Sequence, residues 1–184
     1  ILRGPGEIIG LRRTFYGAAP ERVKEDPVPL SVWVGLYNRF FVESNALRFY
    51  NVRSEDKLFN TAACRAASTV TVVPGTPYCY RKDDQPSITK TFNRKTIDSF
   101  FRLFRLLEQM TDEEPEEYWD ECHIRMQRCI LDYCRVLIGM IENSNEDGTA
   151  KQRYALEVCN HPTLRRACTG YPFWRLPAAQ AAFF

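Results

Sequence analysis

Apolar side chains recur in steps of three and four along this chain, and the clearest such stretch runs from Glu116 to Ile141. Trp119, Cys122, Met126, Cys129, Ile130, Tyr133, Leu137 and Met140 keep one side of a 3.6-residue helix apolar. This places the cysteines of that stretch in a core. Residues 95–110 predict a second strong helix, with Ile97, Phe100, Phe101, Phe104 and Leu107 facing inward and Leu103 and Leu106 widening the stripe. A helix apolar over most of its circumference is central or touches a second partner. Between the two, TDEEPEEYWDE puts Pro115 and a run of carboxylates at the start of the long helix, where its dipole favours negative charge. NSNEDG ends it.

Towards the N-terminus the pattern predicts a helix over 30–50, with Trp33, Leu36, Tyr37, Phe40, Phe41, Ser44 and Leu47 on its apolar side. Another begins at Ser54, which can cap it, and runs to 67 through Leu58, Phe59, Ala62, Ala63 and Ala66. From 68 to 80 the residues Val70, Val72 and Val73 are β-branched, and Pro74, Gly75 and Pro77 force turns, so a loop or one short hairpin is expected. Short helices follow over 149–159 and 162–168. Paired in sequence order, these segments give a mainly α fold, an irregular stack or bundle of helical hairpins. Their unequal lengths argue against a regular repeat array.

The ends read differently. Residues 1–29 carry Gly4, Pro5, Gly6, Gly10, Gly17, Pro20, Pro27 and Pro29 and are expected to form an extended arm. Residues 169–184 are expected to form an irregular aromatic tail, leaving 30–168 as the helical domain. Phe15, Tyr16, Tyr171, Phe173, Trp174, Phe183 and Phe184 would be costly to leave in water, and with Arg12 and Arg13 they become candidate partner contacts.

Charge adds a second set. On the side of the long helix opposite its cysteines, Glu121, Arg125, Arg128, Asp132 and Arg135 follow helical spacing, and Asp98–Arg102 repeats the arrangement on the preceding helix. The reading is a solvated ion ladder or a charged docking face, which makes Arg125, Arg128 and Arg135 candidate contacts. Lysine and arginine number 25 against 23 acidic residues, so the net charge of +2 selects no polyanionic partner. A nucleic-acid groove is disfavoured because each ladder arginine has a carboxylate in reach.

Seven cysteines raise the question of compartment. The number is odd, and helical neighbours lie too far apart to bridge: Cys122 and Cys129 would be separated by about 10.5 Å along the axis. A reduced compartment is favoured. Cys159 and Cys168 form the best disulfide candidate, and no tight C-x₂₋₄-C pair announces a metal site. The two histidines sit in no nucleophile motif, and no phosphate-binding loop occurs, so neither catalytic nor cofactor residues are assigned. No apolar run reaches the roughly 20 residues needed to span a bilayer.

The basic, aromatic stretch LRRTFYGAAPERVKEDPVP, the helical hairpins and the apolar C-terminal end together resemble lineage-specific helical-hairpin accessory subunits of mitochondrial complexes, the ATP synthase or respiratory chain, of divergent protists. The resemblance is one of character over the whole chain and carries over no functional residue. It implies a non-catalytic protein, in the mitochondrial matrix, whose partners are the protein subunits of a larger complex. RRTFYGAAPERV also fits the end of a mitochondrial targeting segment. Two alternatives stand beside it: a secreted, disulfide-containing binding protein, and an organellar RNA-binding or ribosomal helical protein.

Overall fold

The computed structural model describes residues 1–23, 31–75, 78–79 and 91–181. It is mainly helical. The helices are α1 (Gly4–Tyr16), α2 (Arg39–Ser44), α3 (Glu55–Ala66), α4 (Arg94–Asp112), α5 (Glu116–Glu142), α6 (Gly148–Cys159), α7 (Pro162–Cys168) and α8 (Ala178–Ala181). Two short strands, β1 (Leu2–Arg3) and β2 (Thr69–Val70), pair antiparallel with Leu2 opposite Val70 and Arg3 opposite Thr69.

Helix α5 is the centre of the molecule. Every residue from Arg125 to Leu131 is buried, so the helix is enclosed on all sides over two turns. Its expected stripe supplies Cys122, Met126, Cys129, Ile130 and Leu137 to the main core, where they meet Ile97, Phe100, Phe104 and Leu107 of α4. Helices α4 and α5 pair as the spacing predicts, and α6 and α7 form where expected, each packed on α5. Asp147 caps α6 by accepting the Ala150 N–H at 2.8 Å.

The N-terminal half departs from the sequence expectation in three places. Residues 4–16 are not an extended arm; they form α1, which packs on α3 and α5. Gly4 and Pro5 fall at its first turn, where proline's missing N–H and fixed φ do no harm, and Gly17 follows its last residue. Gly4, Pro5 and Gly17 therefore bound the helix, and Gly6 and Gly10 are accommodated within it. Gly17 also permits close approach, because a Cβ there would overlap the Arg125 carbonyl of α5.

The helix expected over 30–50 is also not formed. A single 3₁₀ turn at Val32–Val34 and the six residues of α2 replace it, and none of these residues is buried. Gly35 approaches the Tyr37 ring too closely for a Cβ, and Asn38 starts α2 by accepting the Phe41 N–H at 3.2 Å. With this segment broken, α3 pairs instead with α1. In the β-branched segment β2 joins the chain's first residues, and 71–75 form a loop as expected. Ser54 precedes α3 in the left-handed conformation, φ 57°, and makes no side-chain cap.

The C-terminal tail lies back over the domain from Tyr171 to Leu176, packing both residues against Leu131 of α5.

Candidate partner interface

Of the described residues singled out for partner contacts, most are turned inward. Arg12 is buried and ion-paired with Glu114, both side chains being almost completely shielded from water. Glu114 sits in the turn between α4 and α5. It also accepts the Tyr16 hydroxyl at 2.7 Å and an Arg65 N–H at 2.9 Å. Tyr16 has no exposed surface, and burial, followed by its bond to Glu114, pushes its hydroxyl pKa well above the ordinary value. One carboxylate thus joins α1, α3 and the α4–α5 turn. Phe15 is in a second small core with Ile8, Leu11 and Cys64. Arg13 reaches Glu121 at 2.7 Å on the half-exposed edge of the same junction.

The two central arginines of the expected ladder on α5 are likewise internal. Arg125 donates to the Gly17 carbonyl at 3.0 Å. Arg128, 1% exposed, donates to the Pro20 carbonyl at 2.9 Å, to Asp132 at 2.7 Å and to the Gln180 side chain. These two arginines hold the segment after α1 and the C-terminal segment against α5. Arg125 and Arg128 are covered by these segments, while Glu121 and Asp132 stay part-exposed and the expected Glu121–Arg125 pair forms at 3.2 Å. Arg135, at its edge, remains half-exposed beside Asp132 at 3.5 Å. On α4, Asp98 pairs with Arg94 at 2.9 Å and not with Arg102.

In the tail, Tyr171 is buried and Phe173 packs edge-on against it at 5.1 Å, whereas Trp174 is 84% exposed. Phe183 and Phe184 lie outside the described residues. Cys159 and Cys168 are both free, as are the other five cysteines. They are the last residues of α6 and α7. Burial raises the thiol pKa of Cys64 to about 11 and those of Cys122 and Cys134 to about 12, so these core thiols stay protonated. Among the described residues no group of three or more His, Cys, Asp or Glu could hold a metal ion, and no helix is long and apolar enough to cross a membrane.

Part of the apolar surface that does face outward, Trp33, Leu36 and Phe40, is one the helical pattern assigned to the interior. Leu36 is fully exposed and Phe40 is 78% exposed, and Trp33, Phe49, Tyr50 and Tyr78 are also open. The segment's inner side (Val32, Phe41, Val42 and Leu47) covers Phe59 and Ala63 of α3. Phe49 stacks on Phe59 at 4.4 Å, and Trp33 lies on Tyr78 at 4.3 Å. The outer side chains are therefore mounted on a packed layer. Gly35 and Asn38, which interrupt the helical pattern, were the available sequence signals for this. The chain matches no protein-family model, no curated protein and no solved structure.

Proposed function

We propose that this chain is a non-catalytic accessory subunit of a large mitochondrial assembly, with the ATP synthase or a respiratory-chain complex favoured. The observation that carries the docking role is the apolar surface around Leu36 and Phe40. Contiguous exposed apolar side chains on a packed support mark sites that another molecule covers. Aromatic residues beside Arg39 and Arg48 match the composition of interface centres. Protonated core thiols suit a reducing compartment. The mitochondrial setting follows the overall character of the chain.

Native extraction in mild detergent, followed by separation by size and mass spectrometry, tests the reading. Co-migration with subunits of one such complex is the expected result, and Leu36→Asp with Phe40→Asp should release the chain while leaving its circular dichroism unchanged. Migration as a lone chain of 21.4 kDa would overturn the proposal.

A further inference from the structure

A second surface, remote in sequence from Leu36 and Phe40, has a different chemistry. The outer side of α4 presents Arg94, Lys95, Arg102 and Arg105 to solvent. Helix α7 lies parallel beside it, because His161 at its start stacks on Phe101 at 3.5 Å and Arg166 near its end grips Glu108 through two bonds of 3.0 and 2.9 Å. That arrangement brings Arg165 and Arg166 to the same side. Helix α6 adds Arg153, one turn before Glu157, which bonds Arg94 at 2.8 Å. The face thus gathers seven cations.

Its carboxylates are fewer and mostly engaged. Asp98 and Glu157 are taken by Arg94, and Glu108 by Arg166, which leaves Asp112 at the far end of α4. Among the described residues Lys95, Arg102, Arg105, Arg153 and Arg165 have no carboxylate partner. With Asp120, which lies beside His123, five acidic groups face seven basic ones among the described residues, an excess of two. The electrostatic objection to a polyanion, drawn from paired arginines, therefore fails on this face.

Two part-exposed rings, His161 and Tyr154, border these cations, each backed by a ring of the core side. His161 covers Phe101, and Tyr154, beneath Arg153 at 5.1 Å, approaches Phe92 at 5.6 Å. Beside Arg105 and Arg166 a pocket of about 360 Å³ opens between α4, α5 and α7, with Gln127 and His123 on its wall. Guanidinium forks match phosphate oxygens, and exposed bases stack on aromatic and guanidinium planes. From Lys95 to Arg105 the cations span about 15 Å of helix axis, the reach of a few phosphates. Among the described residues α4, α6 and α7 expose one large apolar side chain, Leu156 at 55%, whereas a lipid surface would need several such anchors.

We infer that the α4–α6–α7 face binds single-stranded nucleic acid through its phosphate backbone, with Arg102, Arg105 and Arg165 as the principal contacts. This inference does not rest on the accessory-subunit reading, since the two surfaces share no residue.

The test is fluorescence anisotropy of the full chain with a labelled 20-nucleotide oligouridylate, titrated across salt concentrations. Saturable binding should weaken with salt at a log–log slope near −2, at about −0.7 per contacted phosphate. Arg102→Gln with Arg105→Gln should lower affinity about tenfold or more and flatten the slope by about 1.4. These side chains are exposed and unbonded, so circular dichroism should not change; Arg39→Gln, on the other surface, should bind as wild type. Equal binding of the matching DNA strand assigns the site to the shared backbone, and tighter RNA binding assigns it to ribose as well. No saturable binding at low salt, binding unaffected by the double variant, or equally tight binding to phosphatidylserine vesicles would overturn the inference.

Discussion

Arg12 and Glu114 form an ion pair across 102 residues of sequence, with 4% and 0% of their side-chain surfaces left to water. Such a pair is costly to break on one side, because the remaining charge stays buried. Glu114→Gln leaves Arg12 uncompensated and weakens the hold on Arg65, and should cost about 3–5 kcal/mol in urea unfolding. Arg12→Met with Glu114→Leu, which removes both charges, should cost much less than the sum of the single changes. Additive losses would show that the two groups are not coupled.

Arg128 joins three parts of the chain, so its removal should act locally as well as globally. Arg128→Ala is expected to cost about 2–3 kcal/mol, the range for buried hydrogen bonds to a charged group. Limited proteolysis should then cut first near Pro20 and near Gln180, the two partners it releases. Unchanged cleavage sites would show that the ends are held by packing alone.

Thiol accessibility is set by the core. Cys79 and Cys159 are exposed, whereas Cys64, Cys122, Cys129 and Cys134 are buried with raised pKa values. In iodoacetamide at pH 8 the first two should react at once, and the four core thiols only after denaturant is added. A core cysteine that stays unlabelled in denaturant without reductant would be disulfide-bonded, contrary to the free thiols of the fold.

Stability should fall on mild acidification. Burial, chiefly, holds His123 and His161 below the ordinary histidine pKa near 6.5, and Arg166 adds to the effect at His161. The unfolded chain therefore takes up protons near pH 6.5 that the folded chain accepts only at lower pH, so stability is full above that value and lost as pH drops through it. His161 has a further reason to stay neutral, because its Nδ1 accepts the Thr163 N–H at 3.2 Å and caps α7. Wild-type Tm should decline from pH 7.5 to 5.5. His161→Asn with His123→Gln, which keeps a capping acceptor, should decline less. Parallel curves would assign the loss to carboxylates.

Much of the C-terminal half was legible in residue order. The stripe from Cys122 to Leu137 and the aromatic side of α4 are dense enough that a single helical period accounts for them, and local turn residues join the helices into hairpins. Residues 4–16 were not legible, because Gly4, Pro5 and Gly17 look like breakers until the helix they bound is known. Nor was the 33–50 surface, where a helical period is present but Gly35 and Asn38 interrupt the backbone that would express it.

The sequence by itself determined that the chain is mainly helical, that its long cysteine-bearing helix belongs in the core, and that α4 lies against it. Those outcomes depend on neighbours three or four residues apart, which local order specifies. Only the tertiary structure decided where the charges go. Arg12, Arg125 and Arg128 have the same spacing and composition as solvated arginines, and their burial depends on Glu114, Gly17, Pro20 and Gln180, which reach them from distant parts of the chain. The same folding leaves Arg102 and Arg105 without carboxylates among the described residues and turns Leu36 and Phe40 outward. Whether a side chain is core or surface is fixed by what packs over it, and here that cover comes from both ends of the chain.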